Sequence, residues 1–159
     1  MTVDRGDRRT ATLPRRVHRR LHRAANHRHT LAIHLLVFIG GSTGALARYG
    51  LSEMLPPAPN GWPWPTFIAN LLGALALGAI AAWLAEGRPP AVYRLPLLAT
   101  GLCGALTTFS TMQIEALTLA DSGRWATAVA YPLTSIVAGL AGVVLAARLV
   151  RALTGRTAR

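Results

Sequence analysis

The chain has 159 residues, 52% of them hydrophobic and only 14% charged, which describes one small membrane bundle rather than a soluble enzyme. The formal net charge of +11 is carried by 17 arginines and no lysine; nine of them fall before residue 31 and most of the others flank apolar runs, a distribution that argues against a nucleic-acid-binding surface. The single cysteine, Cys103, excludes an internal disulfide and a cysteine-based zinc site, and reads as a small buried apolar residue.

Residues 1–30 form a basic leader, poor in apolar residues, that cannot bury a core and is expected to be disordered. It serves either as a tether to anionic lipid or as a topology signal with no further task. His18, His22, His27 and His29 have no cysteine or carboxylate grouped around them, so a metal site is not read there. The four-helix membrane part is taken as residues 31–150, with a basic tail at 151–159.

A first span is expected over about residues 31–51. Ala45-Leu46-Ala47 resembles a signal-peptide cleavage site, but the apolar stretch and the basic region before it are both too long, so a retained membrane helix is preferred. Gly40, Gly41, Gly44, Ala45 and Ala47 make a small-residue face suited to close helix packing. Arg48 stands near the end of this span, where it either snorkels to the interface or faces inward and attracts anions.

Pro56, Pro57, Pro59, Asn60 and Gly61 predict a turn, followed by Trp62 and Trp64 at the position of an interfacial aromatic belt. The second span, about residues 66–84, has Asn70 as its one strongly polar residue at depth. Glu86 to Pro90 and Arg94 form a polar loop. The third apolar run starts near Leu95 and fades near Leu119, and at its centre it reads GLCGALTTFSTMQIE. Four hydroxyls within five positions (Thr107, Thr108, Ser110, Thr111) are more polarity than a structural span needs, and polar groups at that depth mark a path for something polar. Gly101 and Gly104 would let the helix unwind there, so this span is expected to be broken in mid-membrane. The fourth span covers about residues 126–149 and carries Tyr131 and Ser135, four apart and therefore on one face.

The groups at membrane depth (Asn70, Thr107, Thr108, Ser110, Thr111, Tyr131, Ser135) are nearly all uncharged donors. They suit a small hydrated anion, whose water must be replaced, and suit a multivalent cation poorly. Phe109 adds the positive edge of an aromatic ring. No metalloprotease, Walker or serine-nucleophile motif is present and the acids are scattered, so no enzyme is expected.

GGSTGALARYG, PTFIANLLGALALG, GLCGALTTFST and the Tyr131–Ser135 pair, in this order and spacing, resemble the bacterial fluoride channels of the CrcB/Fluc family over about residues 39–149. The resemblance implies an all-α subunit of four transmembrane helices in a bacterial plasma membrane. It implies assembly as an antiparallel dimer with two fluoride pores and passive export of fluoride that enters as neutral HF. It further implies a structural sodium ion at the dimer centre, held by the carbonyls of Gly104 and Thr107. Asn70, Phe109, Ser110, Thr111, Met112, Tyr131 and Ser135 would line the pore, with Arg48 and Glu115 toward a vestibule. Met112 departs from the pattern, which usually has a second phenylalanine there, and Ala105 replaces a frequent glycine.

Fifteen arginines flank the side that holds both termini and the second loop, against Arg124 and Arg48 on the other. That bias favours cytoplasmic termini and a fixed orientation. The chain would then pair with a related, oppositely oriented partner, whereas dual insertion would give a homodimer. A small four-helix multidrug exporter is the alternative class, but it needs a glutamate within the first span and none is present. A non-transporting membrane subunit held by the same small-residue faces is a third reading.

Overall fold

The computed structural model describes the backbone of residues 15–55, 61–85 and 92–155, with side chains from residue 29 onward. The expected turn at Pro56–Asn60, the loop at Glu86–Pro90, the first 14 residues of the leader and the last four of the tail lie outside the described residues. The chain divides into two units, Met1–Ala32 and Ile33–Arg159.

Among the described residues all regular structure is helical. Helix α1 is Arg15–Met54 and α2 is Trp64–Ala85. A π-helix, Leu95–Cys103, runs into the short α3, Gly104–Leu106, and α4 covers Ser110–Asp121. Helix α5 is Trp125–Thr154. Four stretches are long and apolar enough to cross a bilayer: His29–Met54, Trp64–Ala85, Leu95–Asp121 and Trp125–Thr154. The outward faces agree, since Leu133, Ile136, Val137 and Leu140 on α5 are all exposed and need hydrocarbon or protein around them rather than water.

At the N-terminus helix α1 takes in residues 15–30. They extend an apolar helix in residues 31–54. Adding arginine, alanine and leucine to such a helix carries no nucleation cost and little propensity cost.

The core between helices is built from small side chains. Ala69, Ala82, Ala128 and Ala146 are buried, and among the described residues Tyr131 is the one large side chain with no exposure. Association of apolar helices in lipid depends on close van der Waals fit, which small residues permit. Helix α2 packs most extensively on α5, and α4 packs on α5 as well. Gly40 and Gly44 of α1 approach the third span so closely that a Cβ on either would strike a backbone carbonyl, that of Leu97 or Leu102. Gly41 has open space beside it, so only two of the three glycines in that small-residue face serve this contact.

Candidate functional site

The site is built where the third element leaves the helix. Thr107 is extended (φ −82°, ψ 153°), and Phe109 leads into α4. The departure therefore falls at Thr107–Phe109, beyond the glycines from which unwinding was expected. Gly101 is buried against Val37 and Gly40 of α1, and Gly104 keeps helical angles.

The cause is a side chain on another helix. Asn70 of α2 accepts the Thr108 N–H at 2.7 Å through Oδ1 and donates from Nδ2 to the Thr108 carbonyl at 3.0 Å. This pairing satisfies both backbone groups of one residue, as a part-buried residue that has left the helix requires. It also diverts a helical bond, since in a continuous helix the Thr108 N–H would serve the Gly104 carbonyl. The Thr111 N–H, which would serve the Thr107 carbonyl, turns to Thr108 Oγ1 at 3.3 Å, in the manner of an N-cap. Thr108 Oγ1 donates in turn to Thr111 Oγ1 at 3.0 Å. Thr107 remains tied to the preceding turn, its N–H and Oγ1 both bonding the Cys103 carbonyl.

Two cavities border this segment. One, of about 220 Å³, is lined by Asn70, Thr107, Thr108, Phe109, Met112, Ser135 and Ile136. The other, of about 340 Å³, includes Arg48, Ser52, Thr66, Thr108, Thr111 and Glu115. Thr108 lines both. Arg48 and Glu115, 67 positions apart in the chain, thus share one cavity. Phe109 is 63% exposed in the single chain, whereas Met112 is buried. Ser110 is exposed, its Oγ 3.4 Å from Thr108 Oγ1, and it lines neither cavity. Gly104 lines a third, mainly apolar space of about 440 Å³ with Thr107, Ser135 and Gly139.

Tyr131 and Ser135 serve different partners although they share a helix face. Ser135 Oγ donates to the Tyr131 carbonyl at 2.8 Å and its residue borders the Asn70 cavity. The Tyr131 hydroxyl donates to Glu115 Oε2 at 2.7 Å. Thr66 Oγ1 donates to Glu115 Oε1, also at 2.7 Å, so each carboxylate oxygen has one neutral donor. Charge-assisted bonds of this kind are about twice as strong as neutral ones.

Sequence reasoning assigned Thr66 only the opening of a helix. A threonine in the first helical turn carries no signal for a partner 49 residues away. Trp62 was likewise placed at an interface. Its ring in fact meets Tyr131 edge-on, with centroids 5.4 Å apart, and also Phe67 at 5.8 Å. Its Nε1 is buried and has no hydrogen-bond partner among the described residues.

Four apolar spans, the third opened by a side-chain clamp and bordered by two cavities, define a small multi-pass membrane protein. The family model described as "CrcB-like protein, Camphor Resistance (CrcB)" matches residues 35–147, and the chain belongs to that family. It is 52% identical over 115 residues to the fluoride-specific ion channel FluC 1 of Mycolicibacterium paratuberculosis, covering 72% of this chain and 87% of the relative. The same figures hold for FluC 1 of Mycobacterium tuberculosis. The fluoride-specific ion channel FluC 2 of Symbiobacterium thermophilum is 43% identical over 115 residues, covering 71% of this chain and 93% of the relative.

Proposed function

We propose that this chain is a subunit of a fluoride channel that lets fluoride leave a bacterial cell down its gradient. The observation that carries the reading is the Asn70 clamp on Thr108, which opens the third span beside a cavity that uncharged donors help to line. The names of the relatives supply the ion.

The donor arrangement suits passage rather than tight binding. Asn70 uses one Nδ2 hydrogen on Thr108 and keeps a second for the cavity. The hydroxyl hydrogens of Thr107 and Ser135 rest on backbone carbonyls at 2.9 and 2.8 Å. An arriving anion draws them away by rotation, and they return when it leaves. Such exchange replaces part of the hydration shell without a fixed positive charge in this cavity, so the anion is not trapped. Phe109 offers its ring edge, and Arg48 raises the local anion concentration in the neighbouring cavity.

The site also suits a structural sodium ion. The Gly104 and Thr107 carbonyls have lost the N–H groups that a continuous helix would give them. Two carbonyl oxygens are too few for a cation alone, and an antiparallel second subunit would double them. A sodium ion there would neutralise carbonyl dipoles at the break and hold the subunits together. The antiparallel dimer, the pore roles of Ser110, Thr111, Met112, Tyr131 and Ser135, and the mid-membrane depth of the break belong to this same reading.

The arginine bias favours cytoplasmic termini and a pairing of unlike subunits. Relatives named FluC 1 and FluC 2 both match the chain, which suits such a pairing. Reporter fusions at Arg159 test it, and equal signals from both sides of the membrane would leave the homodimer. The channel reading is tested by expression in a fluoride-sensitive bacterium. The chain should restore growth on fluoride, and alanine at Asn70 or Phe109 should abolish the rescue while the protein still accumulates in the membrane. Full rescue by both variants would contradict the site, and no rescue by the parent chain would favour the non-transporting subunit.

A further inference from the structure

Two tryptophans and two prolines alternate where the chain enters α2, as Trp62-Pro63-Trp64-Pro65. Pro63 fixes its own φ and disfavours helical angles at Trp62. The Trp64 N–H closes back on the Trp62 carbonyl at 2.8 Å, and both prolines are buried. This stiff entry sends the two indoles different ways. Trp64 is exposed, as suits an interface, whereas Trp62 is partly buried and turns toward α5. Its ring lies 5.4 Å from that of Tyr131 at 81°, and 5.8 Å from that of Phe67 at 77°. Near-perpendicular rings at such separations are a favoured aromatic geometry. The buried Trp62 Nε1 has no partner among the described residues, so the ring is held by its contact surface and not by its N–H.

Tyr131 is the ring in this cluster with a polar task. It has no exposure, and its hydroxyl donates to Glu115 Oε2 at 2.7 Å. Thr66, four positions after Trp62, donates to Glu115 Oε1. We propose that Trp62 is a positioning residue: its ring fixes that of Tyr131, which keeps the hydroxyl on Glu115 and the carboxylate in place beside the cavity that Arg48 also lines. A tilt of the Tyr131 ring swings its para oxygen away, and a hydrogen bond weakens steeply with distance and angle. The carboxylate then loses one of its two neutral donors, and its charge, free to turn into the cavity, opposes an entering anion. The effect on ion passage rests on the channel reading; the fixing of the hydroxyl does not.

The test is a double-mutant cycle on the full chain, read by thermal unfolding in detergent and by fluoride efflux from liposomes. Tyr131→Phe keeps the ring that Trp62 touches and removes only the hydroxyl. The expected result is that Trp62→Ala lowers the melting temperature more in the parent chain than in the Tyr131→Phe background. Efflux should fall about threefold or more in the parent and hardly further in that background. Trp62→Phe, which keeps an aromatic edge and removes an orphan donor, should restore most of both, and Trp64→Ala should leave efflux unchanged. An equal loss of melting temperature in the two backgrounds would overturn the proposal and leave Trp62 as packing alone. Unchanged efflux in Trp62→Ala of a conducting parent would overturn it too. A parent chain that passes no fluoride would refute the channel reading, and the melting cycle would still decide the role of Trp62. Where Trp62→Ala does not accumulate, Trp62→Leu carries the same cycle with a smaller loss of volume.

Discussion

Replacing Asn70 with alanine removes the clamp that fixes the opened segment. Two hydrogen bonds are lost, at 2.7 and 3.0 Å, and both backbone groups of Thr108 are left without their partner. Each buried polar group left unsatisfied costs about 1–3 kcal/mol, and Thr108 is only part-buried, so a total of about 2–4 kcal/mol follows. The Thr108 N–H can recover some of this by returning to the Gly104 carbonyl, which lengthens α3 and closes the opening. Flux should then fall on the order of tenfold or more, because 1.4 kcal/mol in a barrier is already a factor of ten. Asn70→Asp separates the two roles. It keeps an acceptor for the Thr108 N–H, loses the donor to the Thr108 carbonyl and sets a negative charge beside the path. It should therefore retain more thermal stability than the alanine variant while conducting no better. Thermal unfolding in detergent and fluoride efflux from liposomes measure the two quantities. If Asn70→Ala melts and conducts like the parent chain, the clamp is not what holds the segment open.

Tyr131→Phe removes one of two neutral donors to Glu115 and should lower stability by about 1.5–3 kcal/mol, read by thermal unfolding. Combined with Thr66→Val the loss should be non-additive, because both hydroxyls serve one carboxylate. Met112→Phe should keep or raise fluoride flux. Met112 borders cavities of about 220 and 490 Å³ that can take the added ring, and a loss of flux in the efflux assay would refute this. Gly44→Ala should sharply reduce the yield of folded protein, since its Cβ would strike the Leu102 carbonyl, while Gly41→Ala should be neutral. Size-exclusion profiles of the two variants compare them directly.

The spans were legible because hydrophobic length is a local property, and the candidate donors because hydroxyls in an apolar run stand out. The position of the opening was not legible. Glycines suggested it, yet it is set by Asn70, 38 residues away on another helix. The same holds for the trio of Thr66, Glu115 and Tyr131, whose residues lie on three different helices. Each is unremarked in its own segment, and only packing of α2, α4 and α5 makes them partners. The gathering of Arg48 with Glu115 in one cavity is a further long-range outcome, which the family resemblance alone suggested by setting both toward a vestibule.

The most direct test of the account is fluoride release from liposomes that contain this chain alone, with chloride as the control ion. The account predicts rapid fluoride release without chloride release, either from the single chain or, if unlike subunits are required, after co-expression with a second family member. No fluoride release in either case, or equal release of chloride, would contradict it.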